Sequence, residues 1–456
     1  MAILLGEILQ SLELWLKLIK NPQPQPYVNP NLDPVLLVPG VGGSMLHAVD
    51  ESEGSRERVW VRFLNAEYTL KTKLWSRYDP STGKTESMDP NSRIMVPEDR
   101  HGLHAIDILD PDLMLGSDSV YYFHDMIVEM RKWGFEEGKT LFGFGYDFRQ
   151  SNRFLRNMLR IGLQFVRHSR LIECPSIYEL MGCPNSHWKH IPALELWRER
   201  HDSDGKSHIV LESYPPCDSI KVLEQALVNN TVNYNGEDLP LPFNFEILKW
   251  ANKTWEILSS AKLPSQVKFY NIYGTSLETP HSVCFGSGDK PVTDLQQLRY
   301  FQAKYVCVDG DGTVPIESAK ADGLNAEARV GVPGEHQRIL REPHVFRLLK
   351  HWLKAGEPDP FYNPVNDYVI LPTAFEMERH KEKGVEVASL KEEWEIISKV
   401  QDDQSSTADK VCSISVSQEG ANQSYSEAHA TVIVHPDSEG KQHVQLNALA
   451  VSVDAS

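Results

Sequence analysis

The stretch "PVLLVPGVGGSML", from Pro34 to Leu46, constrains the fold more than any other part of the chain. Val35–Val38 is an uninterrupted apolar run, the pattern of a strand buried on both faces, and such strands belong to parallel sheets covered by helices. Gly40, Gly42 and Gly43 follow directly, and residues without a Cβ permit a sharp turn and a close approach of backbone to ligand. "TLFGFGYDFR" and "VKFYNIYG" read as two more buried strands, and "YVCVDGDGTVP" ends in another glycine-flanked turn. Strands with glycine-rich or charged tips, interleaved with helical patterns, predict an α/β architecture with function at the strand C-termini.

The rest of the chain is arranged around these strands. Residues 1–20 have a helical pattern: Glu7, Gln10, Ser11, Lys17 and Lys20 fall near one face, and Leu5, Leu9, Leu12, Trp15, Leu16 and Ile19 cover the remainder. Such a helix either packs on its own domain or lies on a membrane surface. It lacks the basic start and small-residue cleavage site of a secretory signal, and it is too short and too charged to span a bilayer. After it, 27–152 reads as the first part of the core, with loops up to about Tyr122 and a helical pattern over Val120–Trp133. The region 171–263 reads as a cap, mostly helical in pattern from Ile191 to Leu263 with a polar surface insert, "RERHDSDGKSH", and 264–394 as the second part of the core, with an amphipathic helix at "PHVFRLLKHWL". A flexible linker, "DDQSSTAD", leads to 410–456, where alternating apolar and polar residues around Asp-Ser-Glu-Gly predict a β-hairpin tail.

Charge and cysteine usage narrow the function. A formal charge of −17 argues against nucleic acid as a partner, because phosphate backbones require a basic surface. The six cysteines have no metal-site spacing and suit a reducing compartment; a Cys174–Cys183 bridge is allowed by spacing without being implied. The three N-x-S/T sequons, at Asn229, Asn252 and Asn422, would matter only in a secreted chain.

Nucleophilic acyl transfer needs a hydroxyl, a base, an acid that orients the base, and donors for the oxyanion. In the α/β-hydrolase layout the oxyanion loop comes first, followed by Ser, Asp or Glu, and His. "PGVGGSML" fits the loop, with Val41 and Gly42 as donors, although an ordinary βα turn has the same composition. Asp311 in "VDGDGTVP" fits the acid, against the alternatives of a surface turn or a calcium loop; no later Glu supports the latter. His336 in "VPGEHQRIL" follows just before an amphipathic helix, where a triad base belongs; His344 and His351 fit the helix itself better. The nucleophile is absent: no G-x-S-x-G occurs in the 456 residues. Ser44, Ser276 and Ser287 are poor substitutes, since none lies on a strand-turn-helix elbow.

Together, "LLVPGVGGSML", "FGYDFRQS", "LIECPSIYELM", "YVCVDGDGTVP", "VGVPGEH" and "PFYNPVNDYVILP" resemble the lecithin–cholesterol acyltransferase family, with the greatest similarity to a plant phospholipase A-like branch. The resemblance covers 1–152 and 171–456. It implies an α/β-hydrolase fold with a cap, glycerophospholipid substrates, no cofactor or metal, a cytoplasmic location with peripheral contact to membranes, and acyl hydrolysis or transfer through a Ser-Asp-His triad. Asp311 and His336 match the family's acid and base, and Val41 and Gly42 match its oxyanion loop. The family's serine, in a "HSMGG" elbow, has no counterpart, so the nucleophile-elbow strand and helix are expected to be missing.

The divergence is confined to Arg153–Arg170. "FLRNMLRIGLQFVRHS" can be back-translated so that a shifted frame reads "FEKYVKNWIAICAPF", which resembles the strand that follows the elbow in the family. The segment is therefore expected to be family coding sequence read out of frame after a skipped or misplaced exon junction. A chain without the serine forms no acyl-enzyme. Its alternatives are a lipid-binding pseudoenzyme, a hydrolase using a displaced serine, and a chain that does not fold stably.

Overall fold

The computed structural model describes residues 27–62, 73–112, 120–151, 173–181, 188–234, 236–356, 367–373 and 377–378, and the backbone of strands at 410–419, 425–436 and 442–453. The helix expected over 1–20 and the divergent stretch 153–170 lie outside these residues. The first of two compact units comprises Met1–Gly356 and Tyr368–Trp394, the second Glu357–Asp367 and Glu395–Ser456.

In chain order the strands of the first unit are β1 (Val35–Leu37), β2 (Leu46–Asp50), β3 (Arg56–Trp60), β4 (Ser76–Asp79), β5 (Lys84–Ser87), β6 (Ser92–Met95), β7 (Leu141–Gly143), β8 (Leu194–His201), β9 (Ser207–Tyr214), β10 (Thr231–Tyr234), β11 (Glu237–Pro240), β12 (Tyr270–Thr275), β13 (Leu277–Phe285), β14 (Lys304–Gly310), β15 (Ala328–Pro333) and β16 (Tyr368–Val369). The helices are α1 (His124–Lys132), α2 (Pro175–Glu179), α3 (Pro216–Ala226), α4 (Phe245–Ser260), α5 (Ile316–Lys320) and α6 (Pro343–Trp352). The result is a mixed α/β fold, consistent with an α/β-hydrolase.

Two groups of strands are purely parallel, and a third parallel pairing, β8 with β13, lies inside a mixed sheet. β1 pairs with β7, Leu36 opposite Phe142. β12 pairs with β15, and β15 with β16. Among the described residues no ladder joins the first group to the second. The second group is well covered: Ala328, Val330 and Val332 are fully buried. The first is covered on one side only. Leu37 and Leu141 are buried, whereas Leu36 is 56% exposed, Val38 45% and Phe144 56%. Parallel strands ordinarily have both faces covered, and among the described residues no further strand pairs with β1 or β7 beside this apolar face.

The antiparallel sheets correct the expected loops and helices. The stretch read as loops before Tyr122 carries β2, β3 and β6 as one sheet and β4–β5 as a hairpin. Within the region read as mostly helical, β8 and β9 form a hairpin in a sheet ordered β14-β13-β8-β9. Its reason is a period of two: Leu194 and Leu196 are buried, while Glu195 between them and Trp197 after them are less so. The polar insert is the hairpin's end, where the Asp202 carboxylate accepts the N–H groups of Asp204 (3.2 Å) and Lys206 (2.8 Å). α3 and α4 do follow, and with β8, β13 and α2 they bury Ile177, Tyr178, Leu196, Leu223, Ile247 and Val283 in one core. Asn244 caps α4, its side chain accepting from the N–H groups of Glu246 and Ile247 at 3.1 Å. Among the described residues no helix is long and apolar enough to cross a membrane.

One buried ion pair braces the second parallel group. Arg329 on β15 donates from Nε and Nη2 to the two carboxylate oxygens of Asp322 (3.0 and 2.9 Å), and Asn271 on β12 donates to the same carboxylate (2.9 Å). Burial alone would lift the Asp322 carboxyl, but the bonds from Arg329, the Leu324 N–H and Asn271 hold it below its ordinary value. A depressed carboxyl stabilises the fold fully above its unfolded pKa, about 3.9, and ceases to do so as pH falls through the folded value. Arg329→Met is therefore expected to cost about 3 kcal/mol at neutral pH. Urea unfolding across pH should show the gap to wild type closing below about pH 4; a gap independent of pH would argue against the pair.

In the second unit, the tail read as a hairpin carries three antiparallel strands: β17 (Lys410–Glu419), β18 (Tyr425–Pro436) and β19 (Gln442–Val453), with β18 central.

Candidate active site

The chain leaves β1 through Pro39 into the turn Gly40–Gly43. Gly42 has φ +81°, a conformation that favours glycine. At Gly43 the reason is space, because a Cβ would lie 2.5 Å from the Tyr122 ring. The turn's own polar groups are partly committed. Gly40 N–H donates to the Tyr122 hydroxyl oxygen (3.0 Å), Gly43 N–H to the Gly40 carbonyl (3.1 Å), and the Trp60 indole N–H to the Gly42 carbonyl (2.8 Å). No hydrogen bond among the described residues engages the N–H of Val41 or Gly42. These are the two groups expected as oxyanion donors. Gly43→Ala, which forces the turn against a rigid aromatic ring, should lower stability by about 1–3 kcal/mol; an unchanged urea midpoint would disprove that packing.

Asp311 and His336 meet at the C-terminal ends of β12, β14 and β15. Asp311 follows β14, and its Oδ1 accepts the N–H groups of Thr313 (2.8 Å) and Val314 (2.6 Å), which fixes the carboxylate. Its Oδ2 lies 2.7 Å from His336 Nδ1, and the His336 backbone N–H donates to the Asp311 carbonyl (2.9 Å). Gly312 N–H donates to Thr279 Oγ1 (2.8 Å), tying the turn to β13. Gly274, on β12, lets the strand approach this closely, since a Cβ there would stand 2.4 Å from that of Asp311. The Asp311 side chain is 9% exposed and that of His336 35%. A carboxylate only accepts, so it selects the imidazole tautomer protonated on Nδ1 and leaves the Nε2 lone pair free. This arrangement can take a proton from a hydroxyl and hold the resulting imidazolium.

No described hydroxyl hydrogen-bonds to His336. Ser44 is fully buried, and its Oγ accepts the Tyr146 N–H (3.0 Å). Ser276 is 4% exposed with φ +71°; its N–H donates to the Asp309 carboxylate (2.6 Å) and its Oγ lies 3.2 Å from Thr275 Oγ1. Burial raises the Asp309 carboxyl despite the N–H groups it accepts. Ser287 Oγ accepts the Lys290 N–H. His344 and His351 lie within α6. Sequence reasoning missed Tyr122 and Trp60, which shape the glycine turn from 82 and 18 residues away, and no local pattern marks them. Cys174 is a free, buried thiol that burial raises to about 11.

The profile described as lecithin:cholesterol acyltransferase matches residues 56–160. Lecithin-cholesterol acyltransferase-like 4 of Arabidopsis thaliana is 53% identical over 539 aligned positions spanning 100% of both chains. The chain belongs to the lecithin:cholesterol acyltransferase family. Phospholipase A(1) LCAT3, also of Arabidopsis thaliana, is 40% identical over 403 positions, covering 70% of this chain and 90% of that one. The 539 positions exceed the 456 residues of this family member, so the first relative carries several dozen residues with no counterpart here.

Proposed function

We propose that this chain carries the phospholipid acyl-hydrolase and acyltransferase framework of its family without the nucleophile that would make it work. The single observation that supports the framework is the 2.7 Å contact between Asp311 and His336, beside strand ends where a substrate is handled. Three observations support the loss: the absence of G-x-S-x-G, the unmatched residues of the first relative, and the exposed face of β1 and β7. An elbow strand and its helix would pair β1 and cover Leu36, Val38 and Phe144. The phospholipase A(1) relative favours glycerophospholipid as substrate, met at the periphery of a cytoplasmic membrane surface.

In the intact reaction, His336 Nε2 takes the serine proton while the serine oxygen forms a bond to the ester carbon. The carbonyl π electrons move to oxygen, where the Val41 and Gly42 N–H groups stabilise the charge. Collapse expels the glycerol oxygen, which receives the proton from His336. Water or another alcohol then repeats the sequence to release the acyl group. Asp311 orients the imidazole and balances its positive charge. Without the serine, the first bond cannot form.

Fatty-acid release from phosphatidylcholine vesicles, measured for this chain and the Arabidopsis relative side by side, tests the reading. The relative should release acid and this chain should stay at buffer level. Comparable release by this chain would refute the missing nucleophile; none by the relative would remove the substrate class. The intact dyad and free N–H groups also leave room for a second reading, a lipid-binding protein without turnover, in which lipid binds and no acid appears.

A further inference from the structure

Tyr146, in "FGYDFR" just beyond β7, has a hydroxyl that is shielded from solvent and, among the described residues, has no hydrogen-bond partner. Orphaned buried hydroxyls are few in folded proteins, because each forfeits its bonds to water without replacement. The residue is firmly placed. Its backbone N–H is held by Ser44 Oγ at 3.0 Å, and its ring packs with Val41 and Trp60 around Leu46, Val59 and Phe148. It therefore stands beside the glycine turn, on the same cluster as Val41, and no described residue engages the Val41 and Gly42 N–H groups. Burial raises the phenol well above its ordinary value, with the neighbouring Tyr122 and Glu179 adding to the effect. The group is a donor at every physiological pH.

The neighbours decide what it can donate to. Glu179 on α2 is 4% exposed and accepts from Thr254 Oγ1 (3.0 Å) and Ser151 Oγ. A carboxylate beside the phenol disfavours a second anion, such as a phosphate oxygen, at short range. A neutral acceptor suffers no such repulsion.

We infer that the Tyr146 hydroxyl recognises a neutral ester carbonyl of the bound lipid and so discriminates acyl esters from lipids without them. The inference rests on the reading of the site as one for glycerophospholipids. It assigns the residue to specificity: the ester carbonyl oxygen accepts the phenolic proton in the ground state, and no bond is made or broken.

The test is binding of dihexanoylphosphatidylcholine and of its dihexyl ether analogue, each below its micelle concentration, to the full chain and to Tyr146→Phe. Wild type should prefer the diester by roughly five- to tenfold, the contribution of one neutral hydrogen bond. Tyr146→Phe should lose that preference while binding the ether unchanged, with an unaltered melting temperature. A variant that keeps the preference overturns the inference and leaves the lipid reading standing, as does one that weakens both lipids equally. A wild-type ratio near one overturns it without any variant. Failure of wild type to bind either lipid overturns both the inference and the reading beneath it.

Discussion

Replacing Arg153–Arg170 with the corresponding stretch of the Arabidopsis relative is expected to raise phosphatidylcholine hydrolysis by about 10⁴- to 10⁶-fold over this chain. The size follows from what triads contribute when a nucleophile is removed and the remainder is left intact. The graft restores more than a hydroxyl. On the proposed reading it also supplies a strand to pair β1 and a helix to cover Leu36, Val38 and Phe144, so the melting temperature should rise along with activity. A fluorophosphonate probe separates these effects, because it bonds only to an activated serine. The graft should label with one equivalent and this chain with none. Labelling of this chain would place the nucleophile at a serine elsewhere, and Ser276, with its left-handed backbone beside Asp309, would be the first to replace.

The second large effect belongs to the acid. In the grafted chain, Asp311→Asn should lower kcat by about 10⁴-fold while barely moving stability. An asparagine oxygen can still accept the Thr313 and Val314 N–H groups, so the turn survives. The atom facing His336 then becomes an amide donor, which selects the tautomer protonated on Nε2 and removes the lone pair that the serine proton needs. A drop of less than about tenfold would mean that His336 is oriented by something other than this carboxylate. His336→Ala should match the asparagine variant to within about tenfold, because members of a catalytic unit are not additive.

What could be read in the sequence divides along a physical line. Asp311, His336 and the glycine turn were legible because local composition reports directly on turns and on proton chemistry. The partners that hold them were not. Tyr122 reaches Gly40 across 82 residues, and nothing in "VYYFHD" announces that contact. β8 and β9 were read as helical because a strand with Trp197 and Arg198 at its half-buried positions mixes apolar and charged residues, much as an amphipathic helix does. β13 was overlooked for a related reason: Pro280 lies inside it, at the register shift where the pairing with β14 is interrupted. The antiparallel sheet around Leu46 and Val59 hid in a stretch rich in Arg, Glu and Asp, whose apolar positions are too sparse to signal strands.

The separation of the two purely parallel ladders bears on how the molecule comes apart. Backbone ladders running across a whole sheet make its strands lose structure together, because no strand can leave without orphaning its neighbour's amides. Here the ladder of β1 and β7 and that of β12, β15 and β16 have no described rung in common. The glycine turn rides on the first; His336 follows β15 of the second, and its partner Asp311 follows β14 of the neighbouring mixed sheet. The glycine turn and the Asp311–His336 pair, the two halves of the proposed site, therefore hang on separate backbone ladders within one compact unit.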